Sequence, residues 1–271
     1  MKPEIVLVIA IFGTFTALEI IFTKFFAKKD QRPKDAIVEI VSLVILFGIT
    51  QPLVLLASNY LMGLAAPNWE NAWAGMAFVP AFLLFFVFDD FTQYLWHRLS
   101  HSVPWLYHLH RPHHDAPYMS VRLVYRNNLF YYAFMPSIWL SGILVYLGLG
   151  WVYSVYIVAK LLVISGAHSD VRWDKPLYKI KWLSPFMWVV ERLISTPSTH
   201  SAHHGKHKAD GITNYKGNYG NFLFLWDVIF GTAKITRKYP PEIGVENLEE
   251  VSSGEQLLWP LIRDKQSSPA E

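Results

Sequence analysis

Residues 196–205 read TPSTHSAHHG, and this stretch decides how the whole chain is interpreted. Thr196 suits a helix N-cap, Pro197 suits the first helical position, and Gly205 suits a stop, so the stretch predicts a short helix. Residues three and four positions apart share one helix face, so the H-x-x-H-H pattern presents its imidazoles as a single patch. The three histidines are His200, His203 and His204.

Two similar clusters occur earlier in the chain, H-x-x-x-H at residues 97–101 and H-x-x-H-H at residues 110–114. Pro112 interrupts the second of these, so we expect His110 to lie just ahead of a helix that the next two histidines share. The three clusters hold too many imidazoles for one tetrahedral zinc site, so two metal ions are the economical interpretation. The eight candidate ligands are His97, His101, His110, His113, His114, His200, His203 and His204.

The composition is that of a membrane protein. Of 271 residues, 52% are hydrophobic and 16% aromatic, above the usual apolar share of a soluble domain. The formal charge of +3 is small and spread out, which gives no reason to expect nucleic-acid binding. The absence of cysteine excludes disulfides, cysteine-ligated iron–sulfur clusters and a cysteine nucleophile. Any metal must therefore be held by histidine, carboxylate or amide groups.

Apolar segments predict several membrane-spanning helices. Segment 5–22 is long enough to cross a hydrocarbon core, and no small-residue cleavage site follows it, so we expect a retained span. Segments 36–62 and 74–91 follow, the first with a kink expected at Pro52. Segment 129–166, interrupted by glycines, is interpreted as a helical hairpin that enters and leaves on one side.

A basic loop sets the expected orientation in the membrane. Residues 24–34 include five lysines or arginines, which the positive-inside rule places in the cytoplasm. The loop at residues 63–73 has no lysine or arginine, as an outer loop should. The resulting topology puts every histidine cluster on the cytoplasmic face, and we expect a bacterial inner membrane protein.

The predicted fold is all-α, a multi-pass transmembrane helical bundle with a cytoplasmic, histidine-rich, metal-binding cap. We expect N-terminal transmembrane helices at 1–79 and a solvated polar tail at 234–271. Neutral nitrogen ligands accept iron, zinc, copper or nickel, so ligand type does not choose the metal. The setting at the mouth of a bundle favours reductive activation of dioxygen and attack on a lipid C–H bond, which no side chain performs unaided.

The motifs resemble those of the sterol desaturase and fatty acid hydroxylase superfamily, membrane-bound di-iron oxygenases with histidine boxes. The resemblance runs from about residue 80 to 233, and it implies that residues 80–233 form a catalytic domain. The matching motifs are Asp90-x3-Tyr94-x2-His97-Arg98-x2-His101, His110-Arg-Pro-His113-His114, Thr196-Pro197-x2-His200-x2-His203-His204, Asn218-Tyr219-Gly220, Leu225-Trp226-Asp227 and Phe230-Gly231-Thr232.

The resemblance implies that the eight clustered histidines bind two iron ions and that His168 fills an intermediate ligand position. Some members of the superfamily have a further histidine near that place, where this chain has Ser169 and Asp170. The full ligand set of the second metal therefore stays open, with Asp170, His207 or water as candidates and His108 as a weaker one. Zinc is an expected substitute in purified protein.

Asp90 precedes His97 by seven residues, two helical turns along one face, so we expect its carboxylate to orient that imidazole. The expected activity is hydroxylation or desaturation of a sterol, fatty acyl or sphingoid lipid with O2. The resemblance implies a separate electron donor, a ferredoxin or a cytochrome b5-type protein with its reductase. An acidic donor would suit the expected basic surface, which comprises Arg111, Arg122, Arg126, Lys206 and Lys208.

Two other classes of function stay open. A zinc-dependent membrane hydrolase would need a general base, and the clusters contain no H-E-x-x-H pattern and no neighbouring glutamate. A non-catalytic, histidine-rich metal-binding or transport protein would call for ligands inside the spans, whereas these lie at the predicted ends of the spans.

Overall fold

The computed structural model describes residues 3–264, and the fold is all-α, as expected. Within those residues extended pairing is limited to two isolated bridges, Ile194 with Leu223 and Gly205 with Ile243. The α-helices, in chain order, are α1 (Pro3–Phe22), α2 (Pro33–Ile45), α3 (Gln51–Ala65), α4 (Phe78–Phe85), α5 (Thr92–Ser100), α6 (Pro104–His114), α7 (Leu129–Ala133), α8 (Pro136–Leu144), α9 (Gly150–His168), α10 (Asp174–Lys179), α11 (Ser184–Leu193), α12 (Pro197–His203), α13 (Leu225–Ile229) and α14 (Ser253–Leu258).

Two wide π turns join successive α-helices into longer rods, Leu46–Thr50 between α2 and α3 and Phe86–Phe91 between α4 and α5. Between α8 and α9, at Val145–Leu149, the helical path is broken by a kink at Gly148. The first π turn ends just before Pro52, where a kink was expected. Proline lacks an N–H and its ring crowds the carbonyl four residues earlier, so a wider turn accommodates it.

Four helical rods within the described residues are long and apolar enough to cross a membrane. They are Ile5–Phe22, Pro33–Ala65, Phe78–Ser100 and Leu129–His168. Large apolar side chains on their outer faces are exposed, for example Leu56 and Leu64 on the second rod. The third rod continues beyond residue 91, the expected end of its membrane span, and carries His97 near its C-terminal end.

The chain of the fourth rod reverses direction near Gly148. The backbone φ of Gly148 is 101°, a conformation that glycine adopts readily and that is costly for other residues. Trp73 donates its backbone N–H to the carbonyl of Leu147, so the turn rests against the loop that joins the second and third rods. The chain then returns along α9 to His168. We had expected a hairpin at 129–166, and the reversal lies within that range.

The second histidine cluster lies on one continuous helix, so the expectation that His110 precedes that helix was wrong. Helix α6 begins at Pro104, and Pro112 lies inside it. Only two residues follow Pro112 before the helix ends, so its missing N–H affects the last turn alone.

The C-terminal region also differs from expectation, because its described part is packed and not a solvated tail. Leu257 and Trp259 are buried, and α14 lies against α2 and α6. The Asn128 amide donates to the backbone carbonyls of Gln256 and Trp259, both at 3.1 Å, which fixes this segment on the bundle. Residues 265–271 of the predicted tail lie outside the described residues.

The basic loop after α1 is folded against the histidine-bearing helices. Lys28 pairs with Asp170 at 2.8 Å, just beyond the end of α9. Arg32 pairs with Asp115 at 2.9 Å, just beyond the end of α6. The loop and the ends of both helices are therefore at the same end of the bundle.

Candidate metal centre

Nine imidazoles meet in two adjacent sets at that end of the bundle. In each set the ligand nitrogens all lie within 4.8 Å of one another. The first set, called set A here, is His97, His101, His110, His114 and His203, and the second, set B, is His113, His168, His200 and His204. The sets touch where the rings of His114 and His204 stack, with centroids 4.3 Å apart.

Four different elements deliver these side chains, and local sequence explains the shortest of them. Helix α12 begins as predicted: the Thr196 hydroxyl accepts a hydrogen bond from the Thr199 backbone N–H, and Pro197 occupies the first turn. Because the helix is so short, its cap fixes where all three of its histidines point. The other imidazoles come from the end of α5, the end of α6 and the last residue of α9.

Carbonyl oxygens orient five of the imidazoles by accepting a hydrogen bond from Nδ1. This places the proton on Nδ1 and leaves the Nε2 lone pair free for a metal ion. The pairs are His97 with the Tyr219 carbonyl (2.6 Å), His110 with the Asn127 side chain (2.9 Å), His113 with the Leu123 carbonyl (3.0 Å), His168 with the Ile164 carbonyl (2.8 Å) and His203 with the Gly217 carbonyl (2.7 Å).

In set B the Nε2 atoms converge on one point. The Nε2 of His200 lies 2.9 Å from that of His168 and 3.2 Å from that of His204. The Nε2 of His113 lies 3.4 Å from that of His168. His113 and His168 carry their proton on Nδ1, so their Nε2 lone pairs face each other and repel unless a cation lies between them. This arrangement fits a metal ion.

Set A fits a metal ion for a different reason. The Nε2 atoms of His97, His101 and His203 are buried and have no hydrogen-bond partner among the described residues. A buried polar atom without a partner is costly, and a metal ion would satisfy all three at once. Within the described residues, neither set includes a carboxylate or a cysteine.

Burial also keeps the imidazoles in the neutral form that binds metal. Loss of hydration penalises the imidazolium and lowers the pKa of each histidine well below its ordinary value, and the neighbouring imidazoles lower it further. This holds for the seven outside the membrane-spanning rods, His101, His110, His113, His114, His200, His203 and His204.

The expected contact between Asp90 and His97 is not made. Asp90 instead accepts hydrogen bonds from the Trp226 indole (2.8 Å) and the Leu223 backbone N–H (3.2 Å). Asp90 lies in the π turn before α5, and the extra residue in that turn rotates its side chain away from the face that carries His97.

Three other candidate ligands lie outside both sets. Asp170 is occupied by its ion pair with Lys28. His207 is close to the carboxylates of Glu242 (3.3 Å) and Glu246 (3.1 Å), and these hydrogen bonds raise its pKa. His108 stacks on the Trp259 ring, with centroids 4.6 Å apart.

The motifs at residues 218–232 supply one of the acceptors for set A, the Tyr219 carbonyl. Asp227 accepts hydrogen bonds from the backbone N–H groups of Tyr219 (2.9 Å) and Gly220 (2.6 Å), which shapes the turn that offers the Tyr219 carbonyl to His97. A Cβ on Gly220 would lie 2.6 Å from the Leu223 carbonyl, so glycine is needed for this close approach. Sequence reasoning noted the motif but missed this role.

A cavity leads from between the membrane-spanning rods to the cluster. Its walls include His110 of set A and both His113 and His168 of set B. Apolar side chains from the second and fourth rods form much of the remainder, among them Phe47, Ile157 and Leu161. A separate pocket reaches His101 and His114 from the loops beyond the membrane-spanning rods, and its lining includes Lys206 and Lys216.

The expected basic surface does not exist as a single exposed patch. Arg126 is fully buried and pairs with Asp35 at 2.9 Å. Arg122 is mostly covered and lies over the Phe25 ring. Arg122 packs on the basic loop and Arg126 pairs with α2, so neither is available to a docking partner.

Comparison with known proteins gives one family and several relatives. The family model for fatty acid hydroxylases matches residues 82–232. Human alkylglycerol monooxygenase is 28% identical over 164 residues, which is 60% of this chain and 31% of that protein. Ornithine lipid hydroxylase OlsE of Rhizobium tropici is 30% identical over 171 residues, which is 60% of this chain and 44% of that protein. The chain thus spans less than half of either relative, and no solved structure matches it.

Proposed function

Since the chain belongs to the fatty acid hydroxylase family, within the sterol desaturase and fatty acid hydroxylase superfamily, we propose that it is a membrane-bound lipid hydroxylase. In this proposal the enzyme uses dioxygen to place a hydroxyl group on a lipid C–H bond, and the catalytic unit is residues 80–233. The names of the matched relatives, a monooxygenase and a hydroxylase, favour hydroxylation over desaturation.

One observation carries the proposal: two sets of converging imidazoles form the end of a cavity that begins among membrane-spanning rods. Lipid that enters from the bilayer would reach the metal-binding residues without leaving the protein. A hydrolase would need a general base at the same place, and all the grouped ligands are histidines.

We propose that each set holds one iron ion. Iron bound there would supply the reductive activation of dioxygen that attack on an unactivated C–H bond requires. Set A would provide up to five nitrogens and set B up to four, so set B leaves more room for a small ligand.

The chain's own residues would perform three tasks in this reaction. The carbonyl acceptors hold the imidazoles in one tautomer and one orientation. The burial of the cluster excludes bulk water from the reaction. The walls of the cavity hold the lipid beside His113 and His168.

We propose that the cluster faces the cytoplasm and that electrons come from a separate ferredoxin or cytochrome b5-type protein. The contacts of Lys28 and Arg32 support this orientation, since they put the basic loop at the same end of the bundle as the cluster. The separate pocket beside His101 and His114 gives a donor an approach that does not cross the lipid cavity.

The test combines metal content with oxygen-dependent turnover. Protein purified in detergent from iron-supplied cells is compared with the His203→Ala, His204→Ala double variant, which removes one ligand from each set. We expect one iron ion per set in the unmodified protein, loss of iron in the variant, and an oxygen-dependent change in host lipids that the variant does not cause.

His207→Ala is the matched control, because His207 lies outside both sets and is partly exposed. We expect it to keep full iron content and activity. Tightly held zinc after iron-rich expression, together with no oxygen-dependent product, would overturn the proposal in favour of a zinc hydrolase or a metal-binding protein.

A further inference from the structure

The cavity contains more polar groups than the passage of a plain hydrocarbon chain needs. Its lining includes the side chains of Gln51, Asp89, Gln93, Tyr125, Asn127, Tyr132, Ser137, Tyr153, Lys160 and Asn221, besides the histidines. Polar groups at membrane depth are costly to bury, so their presence in a wall calls for partners or for a function.

The charged groups in this wall already satisfy each other. Asp89 and Lys160 form a buried ion pair. The same carboxylate also accepts hydrogen bonds from Ser141 at 2.6 Å and Tyr156 at 3.1 Å. One negative and one positive charge cancel, so this pair attracts neither an anionic nor a cationic headgroup.

Two neutral groups in the same wall remain without partners. The side-chain oxygen of Gln93 and the hydroxyl of Tyr125 are buried and have no hydrogen-bond partner among the described residues. Gln93 precedes His97 by one helical turn on α5, so both side chains lie on one face of that helix. The Tyr125 ring is held between Phe12 and Phe47, at centroid distances of 5.3 and 4.9 Å, which fixes the direction of its hydroxyl.

We propose that this cavity selects lipids by a neutral hydrogen-bonding group, a hydroxyl or an amide, which Gln93 and Tyr125 bind beside the histidine cluster. A carboxamide and a phenol can each donate and accept, so a hydroxyl or an amide group satisfies both. An alkyl segment would leave both unpaired, and the Asp89–Lys160 pair offers an anionic group no net positive charge. The inference rests on the proposed function only in taking this cavity as the lipid site.

The test measures binding without turnover. Metal-loaded protein in detergent is held without oxygen or reductant, and its thermal unfolding midpoint is followed as each probe is added at matched mole fraction in the micelle. The probes have the same chain length: hexadecan-1-ol, palmitamide, palmitate and hexadecane. A ligand that binds only the folded protein raises the midpoint with its affinity. We expect the alcohol and the amide to raise it, and palmitate and hexadecane to raise it much less.

Two conservative variants locate the effect. Tyr125→Phe and Gln93→Met each remove one hydrogen-bonding group with little change in volume, and each is expected to weaken binding of hexadecan-1-ol by roughly three- to tenfold, the usual worth of one neutral hydrogen bond. Neither should weaken binding of hexadecane. Tyr60→Phe is the matched control, since Tyr60 is 66% exposed on the lipid-facing side of α3 and does not line the cavity.

The unmodified protein alone tests the proposal, because its unfolding midpoint shows whether the four probes bind differently. A variant that fails to fold therefore does not prevent the test. Equal effects of all four probes, or a stronger effect of palmitate, would overturn the proposal. So would variants that fold and bind hexadecan-1-ol as the unmodified protein does. Selective binding without any oxygen-dependent product would leave this inference standing while the proposed function falls.

Discussion

Asn127 is the one side chain among the carbonyl acceptors that orient five imidazoles, because the other four acceptors belong to the backbone. It is therefore the acceptor that a substitution can remove. Asn127→Leu would leave Nδ1 of His110 without its partner and free that ring to turn. We expect metal affinity at set A to fall by about 10- to 100-fold, the usual cost of losing such a partner. Competition with a chelator of known affinity measures the change.

Asn127→Asp is the matched control, since it keeps an acceptor oxygen at the same place. We expect it to retain much more metal than the leucine variant. Equal metal loss in both variants would show that Asn127 acts through general packing, including its 2.9 Å bond to the Tyr132 hydroxyl, and not through His110.

Candidate ligands could be predicted residue by residue, whereas the groups that orient them could not. Histidine at positions i, i+3 and i+4 is visible in a sequence, and the structure brings all eight clustered histidines and His168 together. The Tyr219 and Gly217 acceptors are backbone carbonyls, which every residue possesses, so no sequence pattern marks them. Asp90 looked like an acceptor by spacing alone, and the π turn before α5 changed that spacing.

Glu19, near the end of α1, ties this helix to two segments of the cap. Its fully buried carboxylate accepts hydrogen bonds from Ser120 (2.6 Å), the Val121 N–H (2.8 Å), Ser169 (3.0 Å) and the Asp170 N–H (3.1 Å). Glu19→Gln turns one acceptor into a donor that faces other donors. We expect it to cost roughly 1–3 kcal/mol of stability, the usual penalty of an unsatisfied buried polar group. The thermal unfolding midpoint in detergent measures this cost.

The same variant should also lose iron, because Ser169 directly follows His168 and a shift of this segment moves a set B ligand. Glu70→Gln is the matched control, since Glu70 is exposed in the loop after α3. A Glu19→Gln protein with normal iron content and an unchanged midpoint would show that α1 is a membrane anchor without influence on the site.

Helix starts that an N-cap residue or a proline marks could be predicted from the sequence. Whether a helix continues through its interior was harder to predict. The start of α12 followed from Thr196 and Pro197. The continuity of α6 through Pro112 did not, because packing of the buried His110 and His113 outweighs one lost hydrogen bond near the end of the helix. The two π turns have no sequence signature of their own, although the first ends just before Pro52.

The membrane-spanning character of the whole chain followed directly from composition, because each rod exposes apolar side chains that only lipid would cover. The packing of the C-terminal region could not be predicted in the same way. Residues 234–264 are mostly polar, and Leu257 and Trp259 are too few to show a hydrophobic period. Their burial depends on a surface that α2 and α6 form only in the folded molecule.

Metal removal should loosen the whole molecule and not the site alone, because α5, α6, α9 and α12 all contribute ligands and two of them extend from membrane-spanning rods. A metal ion that binds only the folded state, present at about 100 times its dissociation constant, stabilises that state by about 2.7 kcal/mol. We therefore expect a chelator to lower the thermal unfolding midpoint in detergent by several degrees, and Fe2+ added back to restore it. The His203→Ala, His204→Ala variant should start from a lower midpoint and respond less to the chelator. An unmodified protein whose midpoint ignores both chelator and iron would show that the two sets do not bind metal in the folded state, which contradicts the central premise of the proposed function.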